Sequence, residues 1–169
     1  MPKPVPKPDT PPRRRPEVSL PDGLAIRWGN RLGELPWGAV RPTGATAVRL
    51  RRVLQAHAAE LVPHILSGGS VDVNGMLHGC VTRYGRSNDA RFSRMYPVEV
   101  VVTVDLTSGV WRTSQGEGGA DVLSLARWYW HGSADADARH PGELPAEDRL
   151  LAHLGLATLD VFARIGGAQ

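Results

Sequence analysis

Residues 70–82, SVDVNGMLHGCVT, and residues 98–114, VEVVVTVDLTSGVWRTS, decide the fold. Each holds two apolar runs broken by a tight-turn signal. In the first, Asn74-Gly75 supplies the pair of positive-φ residues that a type I′ hairpin turn requires. A two-residue loop would pair Val73 with Met76 and Val71 with His78. Directly paired residues share a face, so Val71, Val73, Met76, His78 and Cys80 are expected to point together toward the core. In the second stretch Val98, Val100, Val102, Val104 and Leu106 alternate with Glu99, Val101, Thr103 and Asp105. This is period two, one face buried and the other wetter, as an antiparallel sheet demands. Thr107-Ser108-Gly109 turns the chain and residues 110–114 return as a second hairpin.

Helices flank the hairpins. Upstream, Thr43 is suited to an N-cap and residues 44–62 carry an apolar stripe. Ala47, Leu50, Leu54, His57, Ala58, Leu61 and Ile65 recur at three- and four-residue steps. Pro63 should kink or end this helix, and Gly68-Gly69 ends what continues. Downstream, the Gly-rich segment 115–119 leads into a short helix over about 120–131. A polar loop follows at 132–144. Pro145, with Glu147 and Asp148 in the first turn, then opens a last helix. Its stripe is Leu150, Leu151, Leu154, Ala157, Val161, Phe162 and Ile165, and Gly166-Gly167 caps it. No regular strand–helix alternation is present, so a parallel sheet is not expected. The fold class is α+β: a four-stranded antiparallel sheet from two hairpins, packed against about three helices.

Further upstream the chain changes character. Residues 1–16 hold seven prolines, five basic residues and one acid, a net charge of +4 in a chain whose total is +3. The high isoelectric point therefore belongs to a tail rather than to a folded body. Proline removes donors and fixes φ, so the tail reads as disordered or polyproline II. Residues 1–22 are taken as this basic arm and 23–169 as one domain. Residues 23–42 mix Gly and Pro with Trp28 and Trp37, and read as extended pieces and turns. They form either a strap over the core or an arm that docks on another chain. Arginine outnumbers lysine 18 to 2, which we attribute to codon usage before function.

Composition narrows the class. One cysteine, Cys80, excludes a disulfide framework within the chain. There is no apolar leader or membrane-length run, so a cytoplasmic, non-membrane protein is expected. No cofactor and no metal site is implied. His78-Gly79-Cys80 puts two potential ligands on one side of a strand, but no CxxC or HExxH supplies the rest. Core packing explains them, and also His57, better than chemistry does. Gly116-Glu117-Gly118-Gly119 lacks the Lys and Ser/Thr of a P-loop and reads as a connector.

Two segments suggest binding. Residues 83–96, RYGRSNDARFSRMY, interleave Arg83, Arg86, Arg91 and Arg94 with Tyr84, Phe92 and Tyr96. Read as a long loop between the hairpins, this is the composition of a nucleic-acid surface. Trp128-Tyr129-Trp130 span about 200° of a helical wheel, so one face cannot bury all three. At least one tryptophan should lie at a rim or a contact.

The reading leans against an enzyme. It favours an interaction or assembly protein, of the kind found in mobile elements and multi-protein particles. That protein would meet a protein partner or a second copy of itself through its arm and through Trp28, Trp37, Trp128 and Trp130. The alternatives are a nucleic-acid-binding module using Arg13, Arg14, Arg15, Arg83, Arg86, Arg91 and Arg94, and a small hydrolase or transferase around His78 and Cys80.

Overall fold

A computed structural model of the chain describes residues 23–28, 38–86, 95–136 and 144–156. Two antiparallel strands come first, β1 (Leu24–Trp28) and β2 (Gly38–Pro42). They are the extended pieces expected for this region, and Leu24 packs against the core. Helices α1 (Gly44–Ala56) and α2 (Ala58–Ile65) follow. Then come β3 (Ser70–Val71), β4 (Met76–Arg86), β5 (Met95–Asp105), β6 (Trp111–Thr113) and β7 (Gly118–Gly119), and finally α3 (Val122–His131) and α4 (Ala146–His153). Strands β3 to β7 make one antiparallel sheet in sequence order. The α+β class holds; among the described residues the main sheet has five strands rather than four, and there are four helices against the expected three or so. No helix among the described residues is long and apolar enough to cross a membrane.

The alternation of β5 is realised. Val100, Val102 and Val104 are buried, while Val101 on the opposite face is 47% exposed. The inward residues join Leu77 and Trp111 in one apolar cluster with Leu50, Leu54, Leu61, Ile65, Leu125, Leu150 and Leu151 from the helices. Helices therefore cover one face of the sheet, and the other face is open among the described residues.

The upstream helix differs in two ways from its reading. It breaks at His57, whose φ of −106° and ψ of 19° lie outside the helical basin and whose N–H bonds back to the Leu54 carbonyl at 3.2 Å. Pro63 stays inside α2. Its ring crowds the carbonyl four residues back, at Ala59, so the distortion falls upstream of the proline. The second difference is that His57 is exposed and lies 3.7 Å from Glu60. It is not part of the buried stripe.

The first hairpin carries the larger correction. Ser70 pairs with His78 and Val71 with Leu77. Asp72 donates its N–H to the Met76 carbonyl at 2.9 Å, and Gly75 donates to the Asp72 carbonyl at 3.1 Å. The loop is thus Val73-Asn74-Gly75, three residues, and Gly75 alone has positive φ, +77°. This is a turn closed by a glycine bulge rather than type I′. The one-residue change in loop length swaps the faces of β4. Leu77 is buried, whereas His78 and Cys80 are exposed, with Val71 and Val73 also in solvent. Asp72 selects this loop. Its Oδ1 accepts from the N–H of Asn74 at 2.8 Å and of Met76 at 3.0 Å, and its Oδ2 meets His78 Nε2 at 3.0 Å.

Two outcomes follow from this loop. Gly75→Val is expected to cost about 1 kcal/mol or more because a β-branched residue is forced to positive φ. Asn74→Ala should change stability by less than about 0.5 kcal/mol. Urea denaturation of both variants checks this; equal losses would restore the two-residue loop. The His78 hydrogen bond, with the Met76 and Asn74 amides, holds the Asp72 carboxyl below the usual carboxylate range. Its contribution is therefore full at neutral pH and is lost as pH falls through that lowered value. The stability gap between the parent and Asp72→Asn should narrow in acid.

Candidate functional site

Of the segment read as a loop at 83–96, residues 83–86 and 95–96 are strand, and 87–94 lie outside the described residues. β4 and β5 run as one long hairpin from Met76↔Asp105 out to Arg86↔Met95. β3 reaches only His78 on one side, and β6 reaches Val102, with Ser114 bonding the Val101 backbone. From the Val81↔Val100 pair outward, β4 and β5 have only each other among the described residues. The result is a two-stranded ribbon roughly 20 Å long at the usual rise per residue. Tyr84 is 68% exposed, Met95 60% and Tyr96 48% on this ribbon. Pro97 removes one backbone donor from β5, while β4 contains no proline and keeps every donor along its free edge.

The foot of the ribbon is pinned to α3 by Arg83. Its side chain lies on the helix-covered face, with the guanidinium carbon 3.8 Å from the centroid of the Trp128 ring. It donates to the Gly132 carbonyl at 3.3 Å and to the Trp128 carbonyl. Both carbonyls lie at the C-terminal end of α3, where a cation is favoured, and the Trp128 carbonyl also accepts from the Gly132 N–H at 3.2 Å. Burial pulls the Arg83 pKa down and the charge of Glu117 opposes that shift. Arg83 thus clamps the ribbon to the end of α3. Trp128 is not a surface anchor. It is 1% exposed, stacks at a tilt on Trp111 with centroids 5.2 Å apart, and donates its indole N–H to Glu117 Oε2 at 2.7 Å.

Nor is the Gly-rich segment a plain connector. Gly118 and Gly119 form β7 against β6, and a Cβ at Gly119 would lie 2.3 Å from Ser124 Oγ and 2.5 Å from Trp111 Nε1. Ser124 and Asp121 close a reciprocal capping box at the start of α3, and Ser124 Oγ also accepts from Trp111 Nε1 at 2.9 Å. Glycine is needed here for close approach rather than for phosphate binding.

A second surface lies between α2, α3 and α4. It is a cleft of about 470 Å³ lined by His64, Tyr129, Trp130, Leu144, Arg149 and His153, among others. The His64 and His153 rings stack with centroids 3.8 Å apart and an interplanar angle of 17°. The His64 ring also meets the edge of Trp130 at 6.2 Å. Desolvation, with the nearby His153 adding to it, holds the His64 pKa below the usual histidine value. Of the aromatic triplet, Tyr129 and Trp130 thus lie half-buried at a rim while Trp128 is in the core.

The remaining candidates are dispersed. His78 sits on the open sheet face with Asp72 and with Thr103 Oγ1 at 3.4 Å, and Cys80 lies opposite Val101. The described residues contain no group of three or more His, Cys, Asp or Glu placed to hold a metal ion. Trp28 ends β1 and Arg86 ends β4. Trp37, Arg13, Arg14, Arg15, Arg91 and Arg94 lie outside the described residues. Compared with protein-family models, curated proteins and solved structures, the chain has no match.

Proposed function

We propose that this is a non-enzymatic interaction or assembly protein, and that the β4–β5 ribbon is its principal contact. The ribbon carries the reading: it projects past its neighbouring strands, leaves the β4 edge unpaired among the described residues, and displays Tyr84, Met95 and Tyr96. Exposed strand edges recruit a further strand, with main-chain hydrogen bonds giving affinity and side chains giving selectivity. Trp28, Trp37 and the N-terminal arm are proposed as additional contacts; Trp130 belongs to the separate helical cleft. The test is light scattering after size exclusion, at low and high salt, on the full chain and on Tyr84→Glu/Met95→Glu. The expected result is a salt-resistant dimer or larger species that falls to monomer in the double variant. A parent that stays monomeric at every concentration would remove self-association through the ribbon.

A second reading rests on the same element. A two-stranded ribbon fits the major groove of duplex DNA. Arg86 ends the described part of this one, and Arg91 and Arg94 stand between its strands in sequence. If the ribbon binds a polyanion, replacing these three arginines with glutamine should weaken binding and flatten its salt slope, because fewer counterions are released. Arg83→Gln should instead cost about 1–2 kcal/mol of stability, by uncovering the α3 carbonyls, and leave the slope unchanged. Filter binding with single- and double-stranded DNA and RNA separates the two effects. Absence of salt-sensitive binding to all of them removes this reading.

A further inference from the structure

Independently of the ribbon, we infer that the cleft between α2, α3 and α4 binds a small organic acid, a carboxylate carried on an apolar body. The anion would meet Arg149 and the stacked His64–His153 pair, and the apolar body would lie against Trp130.

Arg149 is the first reason. Its guanidinium carbon lies 5.1 Å from the centroid of the Trp130 ring, and among the described residues no carboxylate comes within ion-pair distance of it. The contrast is with Arg127, held by Glu147, and Arg51, held by Asp121 at 3.4 Å. An arginine stacked on an aromatic face keeps its planar fork of donors oriented for a carboxylate.

The histidine pair is the second reason. Two stacked imidazoles at 3.8 Å resist carrying two charges, and burial with the nearby His153 holds the His64 pKa below the usual histidine value. The other charged or titratable groups facing it are few. Glu60 of α2 reaches His153 Nε2 at 3.8 Å but is also shared with His57 at 3.7 Å. Arg149 stands on α4 and Tyr129 on α3. An incoming anion would therefore favour one protonated imidazole and bind with uptake of a proton.

The walls are the third reason. Ile65, Trp130, Leu144 and Ala152 are apolar, and Arg149 is the only permanent positive charge among the lining residues. One fixed charge beside an apolar wall, with Ser67 and Tyr129 as the other polar lining besides the histidines, matches a monoanion with an apolar body better than it matches a phosphate dianion. A volume of about 470 Å³ is in the range that takes a small ligand.

The experiment is an NMR titration of the full chain with phenylacetate, its neutral isostere phenylacetamide, and inorganic phosphate. The indole signal of Trp130 and the ring signals of His64 and His153 are followed. Phenylacetate is expected to give saturable shifts at all three residues and to bind about tenfold more tightly at pH 6 than at pH 8, the carboxylate staying ionised across that range. Arg149→Gln, whose melting should match the parent, is expected to weaken binding about tenfold or more. His153→Gln should retain weaker binding with a flattened pH profile. The inference is overturned by phenylacetamide or phosphate shifting the same signals as strongly as phenylacetate. It is equally overturned by undiminished binding in Arg149→Gln, or by no saturable shift up to about 10 mM, the weak end of specific binding.

Discussion

Trp128→Ala is expected to destabilise the protein by about 3–5 kcal/mol, the cost of emptying a large aromatic site in a core. The side chain is 1% exposed and is held on three sides. Trp111 packs on one face, the Arg83 guanidinium covers the ring, and Glu117 takes the indole N–H. Truncation opens a cavity, removes the surface on which Arg83 lies and leaves Glu117 without its donor. Trp128→Phe keeps most of the apolar volume and loses the hydrogen bond, so it should cost clearly less, about 1–2 kcal/mol. Urea unfolding, with the denaturant slope compared among the three proteins, measures both. A loss under about 1 kcal/mol for the alanine variant would place this tryptophan outside the core. Because Arg83 ties the foot of the ribbon to α3, amides of β4 and β5 near Arg83 should also exchange faster in Trp128→Ala.

The second large effect is expected at the junction of α3 and α4. Arg127 donates to Glu147 Oε1, and their side chains are 15% and 4% exposed. Sequence reading placed Glu147 in a first helical turn, where a carboxylate suits the helix dipole; the structure adds that it is buried and bonded across to the neighbouring helix. Removing one partner of a buried pair is far costlier than replacing both, because a desolvated charge loses its compensation. Arg127→Ala is therefore expected to cost about 3–5 kcal/mol, and Arg127→Met/Glu147→Leu to cost less than either single change. A double-mutant cycle by thermal or urea unfolding decides the point. Strict additivity would mean that the two side chains do not act as a pair in solution.

Sequence and structure agree where a single element carries its own periodicity. The valines of β5 had one possible buried face, and Leu50, Leu54, Leu61 and Ile65 had one stripe; both are in the core. Agreement fails where two local solutions are nearly equal. Asn74-Gly75 suits a two-residue loop as well as a three-residue loop with glycine at the bulge, since both put Gly75 at positive φ. The choice fell to the Asp72 carboxylate and to the burial of Leu77, and it moved His78 and Cys80 from the core to the open face. Polar and aromatic residues at 83–86 and 95–96 show no alternation of their own, so the outer hairpin read as a loop. Its strands exist because each supplies the other's hydrogen bonds. The two-residue β7 left no pattern in sequence at all, and neither did the α2–α3–α4 cleft, whose lining comes from helices far apart in the chain.

By itself, then, the sequence determined the α+β class, the core faces of β5 and of α1 and α2, and the concentration of charge in the N-terminal arm. Each of these follows from the spacing of residue types along a short stretch, and burial of apolar surface admits only one arrangement of it. Only the tertiary structure decided the register of the first hairpin, the reach of the ribbon, the clamping of Arg83 onto Trp128 and the meeting of His64, Trp130, Arg149 and His153. Those depend on which groups lie across from one another once the helices pack on the sheet, and the order of residues along one element does not contain that distance.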